Sequence, residues 1–102
     1  MKMYYITLNS HEKARIISQA LLENRLVACT NWFPITSMYP FEGKIREETE
    51  VVLIAKTRAG MRTAIEKVIS QHINYTNYIA ELDVNSVNEQ YLKWLETEIP
   101  PG

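Results

Sequence analysis

The sequence has little of what marks a secreted, a disordered or a nucleic-acid-binding chain. Its single cysteine in 102 residues cannot form an internal disulfide, so nothing in it requires an oxidising compartment. Three glycines argue against a linker-rich or disordered chain. A net charge of −1 supplies no basic face for a nucleic acid or an anionic membrane. We therefore expect no nucleic-acid partner and no membrane partner.

Long hydrophobic runs are also missing. No segment approaches the roughly 20 apolar residues of a membrane span, and the first residues, MKMYYITLNS, hold no apolar run of signal-peptide length. A cytoplasmic location is the resulting default expectation. What the chain does have is 46% hydrophobic and 23% charged residues, the balance of an ordinary globular protein. At this length we expect one domain over residues 1–102.

Hydrophobic periodicity in the first half predicts a strand, a helix and a hairpin. Met3–Leu8 is rich in β-branched and aromatic residues and predicts a buried strand. Helical spacing of apolar residues follows from position 11 to about 24, with Asn9 as the expected N-cap and Glu12 as its reciprocal acid. An extended segment over 27–41 then turns at 42–43 and returns as an apolar central strand over 50–57.

The second half predicts two more helices around a fourth strand. Apolar residues from Met61 to Ile69 recur at i, i+3, i+4, i+7 and i+8, which is one buried helical stripe. Tyr78–Val84 alternates as a strand. The S-x-x-E pattern of Ser86–Glu89 predicts a capping box before a short final helix.

The element order is β-α-β-β-α-β with an added C-terminal helix, which predicts an α+β fold. Right-handed crossovers place both main helices on one face of an antiparallel sheet, the ferredoxin-like split βαβ arrangement. The other face is left bare, although the central strand is apolar on both sides ("VVLIA"). We expect other subunits to cover that face.

The run CTNWFPITSMYPFEGKI from Cys29 to Ile45, followed by EVVLIAKT, resembles the CutA divalent-cation tolerance family. His72, Ile79 and the closing Tyr91-Leu92-x-Trp94 fit the same pattern. The hairpin region matches it in order at Arg25, Leu26, Ala28, Cys29, Asn31, Pro34, Ser37, Tyr39, Glu42, Gly43, Lys44, Lys56 and Thr57.

The chain departs from the family pattern at three places. The glycine expected after Pro34 is missing. Phe41 stands where the family has tryptophan, with Pro40 just ahead of it. The segment after His72 lacks two prolines and has Tyr78 in place of a glutamate.

The resemblance implies a homotrimer of ferredoxin-like subunits, similar in architecture to the PII signalling proteins. In such a trimer the long hairpin reaches a neighbour, which makes Trp32, Tyr39 and Phe41 expected intersubunit anchors. The implied role is that of a non-enzymatic, cytoplasmic protein associated with divalent-cation tolerance, copper above all. The alternative is a PII-like signalling protein that binds a small ligand in the intersubunit cleft, where Lys44, Arg46, Lys56, Arg58 and Arg62 are the available anion contacts.

Cys29 and His72 are the expected metal ligands, for copper or another divalent ion, although no cofactor is required. One cysteine and two histidines cannot build a four-ligand zinc site within one chain. A soft ion shared between subunits through Cys29, Met38 and His72 is the arrangement that remains. The competing interpretations are a small buried cysteine and a histidine that favours the end of a helix.

An enzymatic function has little support in the sequence. Cys29 and His72 are the only nucleophile–base pair, and neither an oxyanion loop nor a glycine-rich turn accompanies them. The RNA-binding version of this fold displays aromatic side chains on its third strand, whereas EVVLIAKT has none. We therefore expect neither catalysis nor RNA binding.

Overall fold

Four strands and three helices follow one another in the predicted order in the computed structural model, which describes residues 1–101. The sheet has the strand order β2-β3-β1-β4, and every neighbouring pair is antiparallel. The α+β, ferredoxin-like prediction is confirmed. The elements are β1 (Lys2–Leu8), α1 (His11–Glu23), β2 (Cys29–Phe41), β3 (Lys44–Thr57), α2 (Arg62–Ser70), β4 (Ile79–Asp83) and α3 (Glu89–Glu98).

The hydrophobic core lies between one face of the sheet and the two main helices. On β1 the core residues are Tyr4, Ile6 and Leu8, whose register partners on β3 are Ala55, Leu53 and Val51. All six are buried, because strand residues two apart share one face of a sheet. The helices complete this core with Ala14, Ile17 and Leu21 from α1 and Ile65, Val68 and Ile69 from α2.

The long β2–β3 hairpin extends beyond the rest of the sheet. Leu8, the last residue of β1, pairs with Val51, so the earlier part of β3 has only β2 as a neighbour. We call residues 35–50 the hairpin arm. Its turn places Glu42 and Gly43 at φ of 50° and 79°, the left-handed conformation that two-residue hairpin turns require.

The arm is where the predicted strand boundaries are wrong. β3 begins at Lys44 instead of Glu50, and β2 begins at Cys29 instead of Val27. The stretch before Glu50 is polar, so it lacks the apolar signal of a strand. It is held instead by its register pairing with β2. The Tyr39 hydroxyl donates across the two strands to Glu48 at 2.8 Å, and Arg46, on the same strand as Glu48, pairs with that carboxylate at 2.7 Å.

Both predicted helix caps are also wrong in detail. The N-cap of α1 is Ser10, whose Oγ accepts a hydrogen bond from the Lys13 backbone N–H at 3.1 Å, and not Asn9. The N-cap of α3 is Asn88, and its side chain makes no capping bond. Helix α3 therefore begins three residues after Ser86, and no capping box forms.

Candidate functional site

The face of the sheet opposite α1 and α2 carries a continuous apolar surface. Register places Met3, Tyr5 and Thr7 of β1 on this face beside Val52 and Ile54 of β3. Phe33 of β2 and Ala80 and Leu82 of β4 extend it to both sheet edges. We call this surface the open face; Phe33 remains 44% exposed on it and Leu82 40%.

Two features cover part of the open face. The Tyr78 ring meets Tyr5 edge-on, with ring centroids 6.1 Å apart, and its backbone N–H donates to the Thr7 hydroxyl at 3.0 Å. Val52, on this same face, is fully buried although it is not part of the core between the sheet and the helices. At the other end, Lys56 lies over the Tyr91 ring of α3 at 5.6 Å. The rest of the face is left without a covering element of the described chain.

The three expected intersubunit anchors divide between the two faces. Trp32 pairs with Leu53, packs against the core and lies 5.7 Å beneath the Arg15 guanidinium of α1. The side chains of Tyr39 and Phe41 lie on the other face of β2 from Trp32, on the open-face side of the arm. Phe41 is 45% exposed with the Arg46 guanidinium 4.9 Å from its ring. Their contact with a neighbouring subunit stays a prediction.

Cys29 lies at the start of β2, next to Tyr91. The Tyr91 hydroxyl is buried there without a hydrogen-bond partner among residues 1–101. Burial, and then the neighbouring Cys29, raise the pKa of Tyr91. The thiol is half-buried, and its nearest acceptor, the Thr30 carbonyl oxygen, is 3.9 Å away. Cys29 is thus less enclosed than a core cysteine.

His72 lies just beyond α2, at the other end of the sheet. It lines a cleft together with Asn9, the residue that directly follows the last residue of β1. Cys29 lies at the opposite end of that strand: it pairs with Lys56 of β3, which in turn pairs with Met3 at the beginning of β1. Six residues of strand separate these two ends by about 20 Å. One protomer therefore does not bring Cys29 and His72 together.

Metal ligation stays a prediction for both residues. Residues 1–101 contain no group of three or more His, Cys, Asp or Glu side chains placed to hold an ion. Met38 is 66% exposed on the hairpin arm, away from both sheet ends. A soft ion using these residues would need ligands from more than one subunit.

The basic residues named for the ligand-cleft alternative do not converge within the protomer. Arg46 is paired with Glu48 on the arm, and Arg62 is paired with Glu66 on α2 at 3.1 Å. Lys56 lies against Tyr91, and the Arg58 guanidinium donates to the Ala59 carbonyl oxygen. Each of these four cations has a different local partner, and the fifth, Lys44, lies at the tip of the hairpin arm opposite Phe41, on the same side of β3 as Arg46.

Sequence reasoning missed a polar network at the β1–β4 edge. The fully buried Tyr4 donates its hydroxyl to Glu81, and Lys2 bridges Glu81 and Asp83. Burial, followed by the bond to Glu81, raises the pKa of Tyr4 above its ordinary value. The sequence did hold one indication of this network. In YIAELDV, Glu81 lies two residues after Ile79 and is therefore on the same, core-facing side of the strand.

A family model described as CutA1 divalent ion tolerance protein matches residues 2–98. The chain belongs to the CutA1 divalent ion tolerance family. The family predicted from the hairpin motif is therefore confirmed.

The CutA relatives include proteins from very different organisms. The Pyrococcus horikoshii divalent-cation tolerance protein CutA is 38% identical over 96% of this chain and 97% of its own length. The Xenopus laevis CutA homolog is also 38% identical, over 94% of this chain. This chain spans only 65% of that longer protein.

Solved CutA structures share the fold closely. The crystal structure of CutA1 from Pyrococcus horikoshii gives a TM-score of 0.90 at 36% identity and covers 99% of this chain and all of its own. A structure described as the periplasmic divalent cation tolerance protein CutA from Archaeoglobus fulgidus gives 0.91 at 34% identity, over 97% of this chain and 99% of its own. In the part of this chain that is described, no helix has the length and apolar character needed to span a bilayer.

Proposed function

We propose that the protein is a homotrimeric, non-enzymatic CutA protein that acts in the tolerance of divalent cations, copper above all. The observation that carries this proposal is the family match over residues 2–98, together with relatives that are named for divalent-cation tolerance. The CutA names of these relatives give no support to the PII-like signalling alternative.

The open face supports the trimeric part of the proposal. Monomeric proteins rarely leave a contiguous apolar surface across a whole sheet, and such surfaces are usually interfaces. The open face combines aromatic and aliphatic side chains from all four strands, and the hairpin arm presents Tyr39 and Phe41 on the same side. A second and a third copy of the chain would bury both regions together.

The separation of Cys29 from His72 supports the non-enzymatic part. A nucleophile and its base need to lie within hydrogen-bond reach, about 2.6–3.2 Å. The only such pair that the sequence offers is separated by about the length of β1, roughly 20 Å. The cytoplasmic location stays an expectation from the sequence, because one relative is described as periplasmic.

Copper binding by the assembled protein tests the metal part of the proposal. We would titrate the reduced protein with Cu(I), the form of copper that soft ligands select, and with Zn²⁺ as a divalent probe, each buffered by a competing ligand. The wild type would be compared with Cys29→Ser and His72→Gln. We expect saturable binding that weakens at least about tenfold in each variant, a loss of about 1.4 kcal/mol. Met3→Leu, which removes a thioether from the open face, is the matched control and should bind as the wild type does.

Growth of a host strain that lacks its own CutA, in graded copper, is the companion measurement. Rescue by the wild type but not by Cys29→Ser would support a role in tolerance through this thiol. Absence of saturable copper binding, combined with equal growth with and without the gene, would contradict the proposed function.

A further inference from the structure

The cleft that His72 lines is surrounded by hydrogen-bond donors. It has a volume of about 370 Å³ and lies between the beginning of α1 and the segment that follows α2. Its polar lining residues are Asn9, Lys13, Gln71, His72, Asn74 and Tyr75. The volume falls within the range of small-molecule sites, about 300–1,000 Å³.

We propose that this donor-lined cleft is a binding site for a small oxyanion, the phosphate or carboxylate group of a small polar molecule. We call it the Lys13–His72 cleft. The proposal shares His72 with the proposed copper ligands, but it does not rest on the metal-tolerance function, because it needs no metal ion and uses neither Cys29 nor the open face.

The charges around the cleft favour an anion. Lys13 is the one lining side chain with a fixed charge, and no carboxylate lines the cleft. Within residues 1–101 Lys13 is one of the cations that form no salt bridge, and it differs from the others in lining a cleft that has no carboxylate. An ammonium group that no carboxylate of its own chain neutralises is available to a ligand's negative charge.

The uncharged groups favour an oxygen acceptor in particular. The Tyr75 hydroxyl accepts a hydrogen bond from the Asn9 backbone N–H at 3.1 Å, which leaves its own proton free to donate. Side-chain amides supply two donors each, and a neutral imidazole supplies one. A phosphate or carboxylate is all acceptor, so it can satisfy ammonium, amide, phenol and imidazole donors at once.

The backbone reinforces the same preference. Ser10 caps α1, so Asn9 and Lys13 flank the N-terminus of a 13-residue helix, whose dipole favours negative charge. On the opposite wall, the carbonyl oxygens of Val68 and Ile69 already accept the N–H groups of Gln71 and His72. The end of α2 therefore presents fewer free acceptors to repel an anion.

A neighbouring groove provides an internal comparison. It is larger, about 600 Å³, and shares Ile73 and Tyr75 with the Lys13–His72 cleft. Glu66, which pairs with Arg62, lines it together with Lys67, so this groove presents a carboxylate as well as a cation to an incoming anion. Anion binding should therefore be confined to the smaller cleft, and Lys67 is the natural control residue.

The test is a two-dimensional amide NMR titration of the full chain, stripped of metal with EDTA and then dialysed free of it, with inorganic phosphate and citrate as separate probes at constant ionic strength. We expect saturable shifts at Asn9–Lys13 and Gln71–Tyr75 with a Kd near 1 mM or tighter, about −4 kcal/mol. His72→Gln should weaken binding about five- to tenfold, the size of one neutral hydrogen bond, and Lys13→Gln at least about tenfold, because it removes a charge-assisted one. Lys67→Gln and Cys29→Ser should bind as the wild type does.

The two probes distinguish the sources of the oxyanion. Binding of phosphate alone would assign a phosphoryl ligand, binding of citrate alone a carboxylate ligand, and binding of both a general oxyanion site. Shifts that do not saturate, or that Lys67→Gln reduces as much as Lys13→Gln does, would overturn the proposal. Because EDTA removes divalent metal and Cys29 is dispensable here, this failure is distinct from a failure of the copper titration.

Discussion

At the scale of single residues, the buried Tyr4–Glu81 contact is the feature with the clearest energetic consequence. The phenol is fully buried on the core side of β1, and its bond to Glu81 ties the central strand to the edge strand β4. Glu81 keeps a second partner in Lys2, at 3.9 Å. Removing the phenol oxygen would therefore cost the protein one hydrogen bond without leaving a carboxylate wholly unpaired.

We expect Tyr4→Phe to lower the free energy of unfolding at pH 8 by about 1–2 kcal/mol, the usual contribution of such a hydrogen bond. Burial and the bond to Glu81 raise the pKa of Tyr4 above its ordinary value of 10.0. The Tyr4 phenol therefore ionises at a lower pH in the unfolded chain than in the folded protein. The stability that Tyr4 contributes is lost as the pH rises above 10. At pH 11 the loss is on the order of 1 kcal/mol.

Urea unfolding at fixed protein concentration, at pH 8 and pH 11, measures both parts of this prediction. The difference between the wild type and Tyr4→Phe should shrink towards zero at the higher pH. Tyr5→Phe, in the next residue of β1 but on the open face, is the control and should change stability by less than about 0.5 kcal/mol. A difference that is equal at both pH values would contradict the raised pKa as the cause.

Some properties of single residues could be predicted from the sequence and others could not, for physical reasons. The alternation of Tyr4, Ile6 and Leu8 was readable because strand periodicity is local. The partner of Tyr4 lies 77 residues away, and no local pattern reports a contact of that range. Cys29 and His72 were recognisable as candidate ligands from their residue types, but their distance apart follows only from the sheet register.

At the scale of elements, the N-terminus of α1 shows how close a sequence pattern can come and still miss. Asn9 and Ser10 are both favourable N-cap residues, and the sequence alone does not decide between adjacent candidates. The structure selects Ser10 through its bond to the Lys13 N–H.

We expect Ser10→Ala to destabilise the protein by about 1 kcal/mol, the typical loss of an N-cap side chain. Ser86→Ala should be nearly neutral, because Ser86 caps no helix here. Thermal unfolding of both variants, each at the same concentration as the wild type, provides the comparison. Equal destabilisation by the two substitutions would mean that the capping box at Ser86 does form.

The hairpin arm is the element whose energetics depend most on assembly. Within the protomer its residues have only the facing strand as support, and Phe41 remains half exposed. If the arm docks on a neighbour, Phe41 gains burial that the isolated chain does not provide.

We expect Phe41→Ala to weaken association by about 2–3 kcal/mol for each docked arm, the value of burying one such side chain. Met38→Ala removes a similar side chain from the opposite side of the same arm and should have less effect. Sedimentation velocity over a dilution series would measure both variants. A Met38→Ala defect as large as that of Phe41→Ala would contradict the assignment of the docking side.

Element order was fully predictable, and element ends were not. Period-2 and period-3.6 patterns located all seven elements. The start of β3 was missed by six residues because residues 44–49 are mostly polar and give no apolar strand signal, although each of them pairs with a residue of β2.

At the scale of the whole molecule, the central question is what covers the open face. The α1–α2 side is complete within one chain, with a core that extends from Tyr4 to Ile69. The opposite side has a buried Val52, a partial cover from Tyr78 and α3, and exposed aromatic and aliphatic residues between them. A homotrimer in which the three open faces and hairpin arms meet would bury this surface.

The need for a partner was predictable from the sequence, since the central strand is apolar on both sides. The division of the expected anchors was readable as well, because Trp32 and Phe41 differ by an odd number of residues along one strand and therefore face opposite sides. That Trp32 packs on the core while Tyr39 and Phe41 remain on the open-face side emerges only once the register is known.

Sedimentation equilibrium of the reduced protein in a chelating buffer tests the proposed assembly most directly. We expect a single species with three times the 11.9 kDa mass of the chain, independent of concentration over the measurable range. A concentration-independent monomer at 11.9 kDa would contradict the assembly of open faces and hairpin arms, and with it any metal site shared between subunits.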